Sequence, residues 1–259
     1  MENLHEINEI IIDWIASIDS LVEEKSKNFS VETKTSEFDL VTNIDKEIQN
    51  SFQTLLNNHF PKHNLVGEEK DNHDIDMYSG IVWVIDPIDG TTNLVKQGKD
   101  YCLILSLFVE GEILLAYTYD FYNKKLFKAI KGEGVTINEK SIVLNEIQKP
   151  EDGLIAFKPS MVNDALLREL ISVSHGYRFI GAGGLDGVRV ILGDYGASID
   201  FNASIWDMSA QILFANELGL KISDLHGNKI NLNNVKGSII AHSGIHKILV
   251  EIIKKYSLH

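Results

Sequence analysis

Trp83-Val84-Ile85-Asp86-Pro87-Ile88-Asp89-Gly90-Thr91-Thr92-Asn93 is the stretch from which this fold can be read. Ile81 to Ile85 is β-branched or aromatic at every position, so it reads as a strand buried on both faces inside a covered sheet. Asp86 then stands at a strand's end. Pro87 disfavours the helical region for Asp86 and removes an amide donor, while Gly90 permits a tight turn or a close approach to a ligand. Such a turn can bring two carboxylates together. Thr91 and Thr92 suit the first turn of a helix, where free amides and the positive dipole end favour an anion. Acids beside such a helix start repel phosphate unless divalent cations lie between them, so a metal-dependent phosphate site is the first expectation.

Working outward, 259 residues with 44% hydrophobic content can bury a large core as one long α/β unit or two packed halves. Charge of 24 basic against 37 acidic side chains leaves a net of −13, which argues against a nucleic-acid polymer or an acidic membrane as partner. The single Cys102 lies in an apolar run and reads as packing in a reducing compartment. No apolar run approaches the roughly 18 residues of a membrane span, and Glu2, Glu6 and Glu9 stand where a signal peptide would be basic. The expected location is the cytoplasm.

Leu4, Ile7, Ile11, Trp14, Ile15, Ile18 and Val22 recur at helical spacing and predict a helix from about 3 to 27. After the polar stretch 28–37, Ile44, Ile48, Phe52, Leu55 and Leu56 predict a second helix that Pro61 stops, with Thr42 and Asp45 as a capping-box-like start. Leu65-Val66 reads as a short strand before Gly67-Glu68-Glu69 and a polar loop from 70 to 79. Beyond the central motif, 102–109, 113–119 and 125–130 form an antiparallel meander. The pattern changes between 148 and 153, which separates an α+β half, 1–149, from an α/β half, 150–259, packed as one catalytic unit. In the second half, strands at 154–157, 178–180, 198–201, 221–223 and 238–242 alternate with helices at 162–173, 185–192, 208–218 and 246–255. The architecture expected is layered helices and sheets.

Two-metal phosphoester hydrolysis needs carboxylates from several parts of the chain, holding ions roughly 3.5–4 Å apart. Glu68, Asp86, Asp89 and Asp207 are the candidates. Each has another reading: Glu68-Glu69 as a solvated pair, Asp-Pro-Ile-Asp-Gly as a plain turn, Asp207 as a first-turn residue of the helix after Trp206. A calcium loop starting at Asp86 is excluded, because its third and twelfth positions are Ile88 and Gln97. Gly181-Ala182-Gly183-Gly184-Leu185-Asp186-Gly187 suggests a dinucleotide fingerprint, yet its final gap is one residue too long. Histidines lack ligand or triad spacing.

Together, Asp39-Leu40-Val41-Thr42-Asn43-Ile44-Asp45, Gly67-Glu68-Glu69, Trp83 to Asn93, Gly181-Ala182-Gly183 and Trp206-Asp207 resemble the inositol monophosphatase family of magnesium-dependent, lithium-sensitive sugar-phosphate phosphatases. The order and spacing match over nearly the whole chain. The resemblance implies an αβαβα sandwich in a homodimer, two or three Mg²⁺ ions, Li⁺ as inhibitor and a small phosphorylated polyol or nucleotide as substrate. One metal would be held by Glu68, Asp86 and the Ile88 carbonyl, a second by Asp86, Asp89 and Asp207, and a third, weaker ion by Glu68. Thr91 with Asp45 would orient and help deprotonate the attacking water, with Glu68 counted among the catalytic residues. Substrate contacts fall on Asp89, Gly90, Thr91, Ala182, Asp200 and Asp207.

Two departures bear on the alcohol rather than the reaction. Where many inositol-selective members carry Glu seven residues before the motif Asp, this chain has Asp200, and the Gly-Ser/Thr-Ala-Ala loop is Gly181-Ala182-Gly183-Gly184. The shorter acid and absent side chains imply a roomier pocket. Inositol 1-phosphate is the expected substrate, with the NADP 2′-phosphate, fructose 1,6-bisphosphate and adenosine 3′,5′-bisphosphate as family alternatives. A non-catalytic module binding metal and phosphate is the contrasting reading.

Overall fold

The computed structural model describes residues 3–26, 29–33, 40–70, 72 and 74–256; Asp39 and half of the polar 28–37 stretch, positions 28 and 34–37, lie outside them. The first helix, α1 (Leu4–Lys25), starts at Asn3, whose side chain accepts from the His5 amide. A short antiparallel pair follows that the sequence did not suggest, β1 (Val31–Thr33) with β2 (Leu40–Thr42). Helix α2 (Asn43–His59) opens on the capping box read from Thr42 and Asp45 and stops before Pro61.

A seven-stranded sheet comes next in the chain. Its strands are β3 (Asn64–Gly67), β4 (Ile81–Asp89), β5 (Cys102–Val109), β6 (Glu112–Asp120), β7 (Lys125–Ile130), β8 (Val135–Ile137) and β9 (Lys140–Ser141), and α3 (Thr91–Gln97) links β4 to β5. A five-stranded sheet in the order β11-β10-β12-β14-β13 uses β10 (Ile155–Ala156), β11 (Tyr177–Arg178), β12 (Ala197–Asp200), β13 (Lys221–Ser223) and β14 (Ser238–Ala241). Its helices are α4 (Asp164–Ser172), α5 (Gly183–Ile191), α6 (Ile205–Leu218) and α7 (Ser243–Tyr256).

Three apolar clusters define the layers. Trp83 and Ile85 face α1 and α2 with Leu103, Leu105 and Tyr117, whereas Val82 and Val84 face α5 and α6 with Ile104 and Ala116. Both faces of β4 are therefore covered, which is why its sequence does not alternate with polar residues. The third cluster joins Ile155, Ile199 and Ile239 to α4 and α7. The stack is thus helices, sheet, helices, sheet, helices, the αβαβα arrangement. Among the described residues no helix is long and apolar enough to cross a membrane.

One expectation is corrected. Asp86 is not the end of its strand, because β4 runs on to Asp89 through an irregularity: Asp86 pairs with Ile104 and Asp89 with Cys102. Three steps on β4 thus match two on β5, a bulge beside Pro87, which has no amide to donate. In a regular strand, residues three apart face opposite ways. Here the extra residue turns Asp86 and Asp89 to the side of Ile104 and Cys102, facing α5 and α6.

Candidate active site

Three segments bring four acids to one place. β3 runs parallel to β4 with Gly67 beside Ile85, and the Glu68 amide donates to the Ile85 carbonyl at 3.3 Å, so Glu68 leaves the sheet next to Asp86. A Cβ on Gly67 would fall 2.2 Å from Gln49 Oε1, which accepts the Glu69 amide, so a larger residue there would displace the Gln49 side chain from that bond. Asp86 Oδ1 accepts the Ile88 amide at 3.0 Å, fixing the bulge. Asp89 receives the Gly183 and Gly184 amides at 3.2 and 2.6 Å, so its charge sits at the positive end of α5. Asp207 enters from the first turn of α6, where Oδ2 accepts the Ser204 amide at 2.6 Å.

The electrostatics report their closeness. Burial holds the Asp86 carboxyl well above the usual carboxylate range, and the charges of Glu68, Asp89 and Asp207 push it further. Asp207 is raised by burial and then by Asp89, Asp200 and Glu68, against the Ser204 amide. Burial also raises Asp89, although the two α5 amides and the Cys102 thiol oppose it. Among the described residues none of Asp86, Asp89 and Asp207 is paired with a Lys or Arg.

Asp45 and Thr91 meet at the edge of this group. Asp45 Oδ2 accepts the Thr42 amide and hydroxyl, and Oδ1 lies 3.1 Å from Thr91 Oγ1. The Thr91 hydroxyl is also 3.0 Å from the Ile88 carbonyl, and its single proton can serve only one of these acceptors at a time. Asp45 is raised by burial despite its donors. Gly90 precedes α3 at φ +91°, a backbone shape that favours glycine, and a Cβ there would crowd Ala182 Cβ and the Asp100 carbonyl at 3.1 Å.

Beside the acids is a cavity of about 250 Å³ lined by Asp89, Ala182, Gly183, Asp200 and Asp207, among others. It lies beyond the carboxyl ends of β10, β11 and β12, which run parallel, the usual position for a ligand site in a parallel sheet. Asp200 is raised by burial, and its Oδ1 accepts the Asn202 amide at 2.9 Å. The expectation of extra room from two glycines is half corrected. A Cβ on Gly183 would sit 3.6 Å from the Asp207 carbonyl and 3.7 Å from Asp200 Oδ2, facing the cavity in ordinary contact. One on Gly184 would meet Ile104 Cδ1 at 2.8 Å and Cys102 Sγ at 2.9 Å, inside the core. Gly184→Ala should therefore lower stability by about 1–3 kcal/mol by overpacking, and Gly183→Ala by well under half of that. Urea unfolding of both variants checks this; equal losses would mean that Gly184 does not abut the core.

Sequence reasoning left several residues without a role. Asn93 Nδ2 donates to the Asp100 and Ile180 carbonyls at 2.8 and 3.0 Å, tying α3 to the loop before α5. Asp186 is buried in the cavity wall with Oδ1 lacking a hydrogen-bond partner, and burial pushes it up to about 7. Asn93 stood in the quoted motif and Asp186 in the glycine-rich run, but partners over 80 residues away have no signal in sequence.

The donor set suits a hard divalent cation. It offers only oxygen, from clustered acids of which Asp86, Asp89 and Asp207 pair with no Lys or Arg among the described residues, and unpaired buried charge is costly. As the side chains stand, no three His, Cys, Asp or Glu among the described residues converge as an ion site.

Compared with known proteins, residues 3–258 match the inositol monophosphatase family. An inositol-1-monophosphatase of Bacillus subtilis (strain 168) is 30% identical over 258 residues, 97% of each chain. Nus factor SuhB of Pasteurella multocida (strain Pm70) is 28% identical over 233 residues, 86% of this chain and 84% of that one. A solved IMPase/NADP phosphatase complexed with NADP and Ca²⁺ matches with a TM-score of 0.94 and 42% identity, covering 97% of this chain and 96% of that one. Related structures hold D-inositol-1-phosphate (TM-score 0.91, 41% identity), or Mg²⁺ and phosphate (0.92, 40%), or were soaked in LiCl as an inhibitory complex (0.93, 42%).

Proposed function

The chain belongs to the inositol monophosphatase family, and from that premise we propose that it is a Mg²⁺-dependent phosphomonoesterase hydrolysing inositol 1-phosphate and, with broader specificity, the 2′-phosphate of NADP. The observation that carries this reading is the Thr91–Asp45 pair set at the edge of four acids, since binding phosphate alone needs no such pair. In this reading Glu68, Asp86 and the Ile88 carbonyl would hold one Mg²⁺, and Asp86, Asp89 and Asp207 would hold a second, with Glu68 available to a weaker third. Bound ions supply charge that polarises water and offsets the negative charge developing on phosphoryl and leaving oxygens.

The chain's own residues do the rest. When the Thr91 hydroxyl donates to Asp45, its lone pairs are left to accept a hydrogen bond from the attacking water, which it orients in line with the leaving oxygen; as water attacks, its proton passes to Thr91 Oγ1 while the hydroxyl proton passes to the Asp45 carboxylate. Amides of Gly90 and Thr91 at the start of α3 hold phosphate oxygens. Ala182 and Asp200 face the alcohol. The segments 1–149 and 150–259 act as one catalytic unit, in a cytoplasmic homodimer.

A phosphate-release assay with inositol 1-phosphate, NADP⁺, fructose 1,6-bisphosphate and adenosine 3′,5′-bisphosphate tests this. Mg²⁺-dependent release from the first two, abolished by EDTA and inhibited by LiCl, is expected. Release from no ester would favour a module that binds without turnover, and release from only the last two would reassign the substrate. Specificity gives a sharper check at Asp200. Lengthening it in Asp200→Glu brings the carboxylate nearer a polyol hydroxyl and narrows the cavity, and a buried hydrogen bond discriminates more than empty space does. The ratio of kcat/KM for inositol 1-phosphate over NADP⁺ should rise about fivefold or more. An unchanged ratio would remove Asp200 from alcohol recognition.

A further inference from the structure

The cavity beside the acids has two unlike halves. Its inner wall is carboxylates and the glycine-rich loop, whereas its mouth is formed by Lys158 and Met161 after β10 and Phe179 after β11. Phe179 is 49% and Met161 44% exposed, unusual for large apolar side chains beside a polar cavity. Phe157 lines the same cavity, is buried and packs on Tyr177 with ring centroids 5.4 Å apart, which adds aromatic surface to this end of the sheet. Because β10 and β11 are parallel and adjacent, both rim segments leave the sheet at the same end. A polyol such as inositol presents hydroxyls around its ring and gains little from such a rim. A planar heteroaromatic ring gains a stacking surface.

We infer that Phe179 and Met161 form a subsite for the base of a nucleotide phosphomonoester whose scissile phosphate lies at the acids, with Lys158 facing the anionic linker. This rests on the phosphatase reading above and says where the larger of its two substrates is recognised. Lys158 is exposed, and its charge already reaches Asp200 inside the cavity, so an anion between them is within its field. The subsite makes no contact needed by the smaller ester. It sets specificity through binding, with no role in bond cleavage.

The test compares wild type with Phe179→Ala, Met161→Ala and the conservative Phe179→Tyr. Two readouts are taken: kcat/KM for NADP⁺ and for inositol 1-phosphate with Mg²⁺, and calorimetric binding of NADP⁺ in Ca²⁺. Loss of one stacked ring should weaken NADP⁺ binding about tenfold and lower its kcat/KM similarly. Values for inositol 1-phosphate should stay within about twofold, and Phe179→Tyr should restore most of the loss. Equal losses for both esters, unchanged NADP⁺ affinity in both alanine variants, or no NADP⁺ binding by wild type would each overturn the subsite. If wild type releases phosphate from neither ester yet binds NADP⁺ in a Phe179-dependent way, the subsite stands and the phosphatase reading falls.

Discussion

Asp86→Asn is expected to lower kcat at saturating Mg²⁺ by about two orders of magnitude or more while leaving the fold intact. Asp86 is the acid that Glu68, Asp89 and Asp207 all act upon, and it shares a hydrogen bond with Glu68. It is thus the position where both proposed ion sites overlap. Asparagine keeps the shape and the Oδ1 acceptor for the Ile88 amide, but removes a buried carboxyl that the charges of Glu68, Asp89 and Asp207 repel. Without metal the variant should therefore melt no lower than wild type, and somewhat higher at neutral pH. Added Mg²⁺ should raise the wild-type Tm, by linkage to the folded state, and raise that of the variant far less. Calorimetric melting with and without Mg²⁺, alongside turnover, separates lost metal binding from lost folding. A variant retaining a tenth or more of wild-type kcat at saturating Mg²⁺ would remove Asp86 from its bridging role.

Thr91→Ala is expected to cut kcat about 10²- to 10⁴-fold, the range of a positioned proton acceptor, with Mg²⁺ affinity changed by no more than about threefold. Every proposed carboxylate ligand remains in this variant. What disappears is the hydroxyl 3.1 Å from Asp45 Oδ1. Asp45 keeps the Thr42 amide and hydroxyl on its other oxygen, so the stability cost should be about 1 kcal/mol. Thr91→Ser restores the hydroxyl and should recover much of the rate. The informative split is between kcat and the Mg²⁺ concentration for half-maximal activity. Unchanged kcat with collapsed metal affinity would assign Thr91 to ion binding and leave the water without its relay.

Several readings in these two experiments were open from sequence and closed only by packing. Asp45 looked like a capping residue and is one, yet its second oxygen reaches Thr91, 46 positions away. Asp207 could be a first-turn acid or a site residue; it bonds the Ser204 amide and also stands within the field of Asp89 and Glu68, so both descriptions hold. Gly183 and Gly184 look alike in sequence, but one faces the cavity and the other the core.

The chain by itself determined the helices of apolar period, the doubly buried strand Ile81 to Ile85, the meander that follows, and the chemical character of Asp86 to Thr92. These follow from residues within a few positions of one another, through torsional preference, capping and the spacing of apolar side chains. Tertiary structure alone decided that Asp86 and Asp89 share a face, because a bulge is a mismatch of register and register exists only against a partner strand. It likewise decided that loops after β10, β11 and β12 gather into one cavity, because parallel pairing of strands distant in the chain aligns their ends. Local preference is encoded by neighbours in sequence, whereas pairing and packing depend on surfaces that only folding brings together.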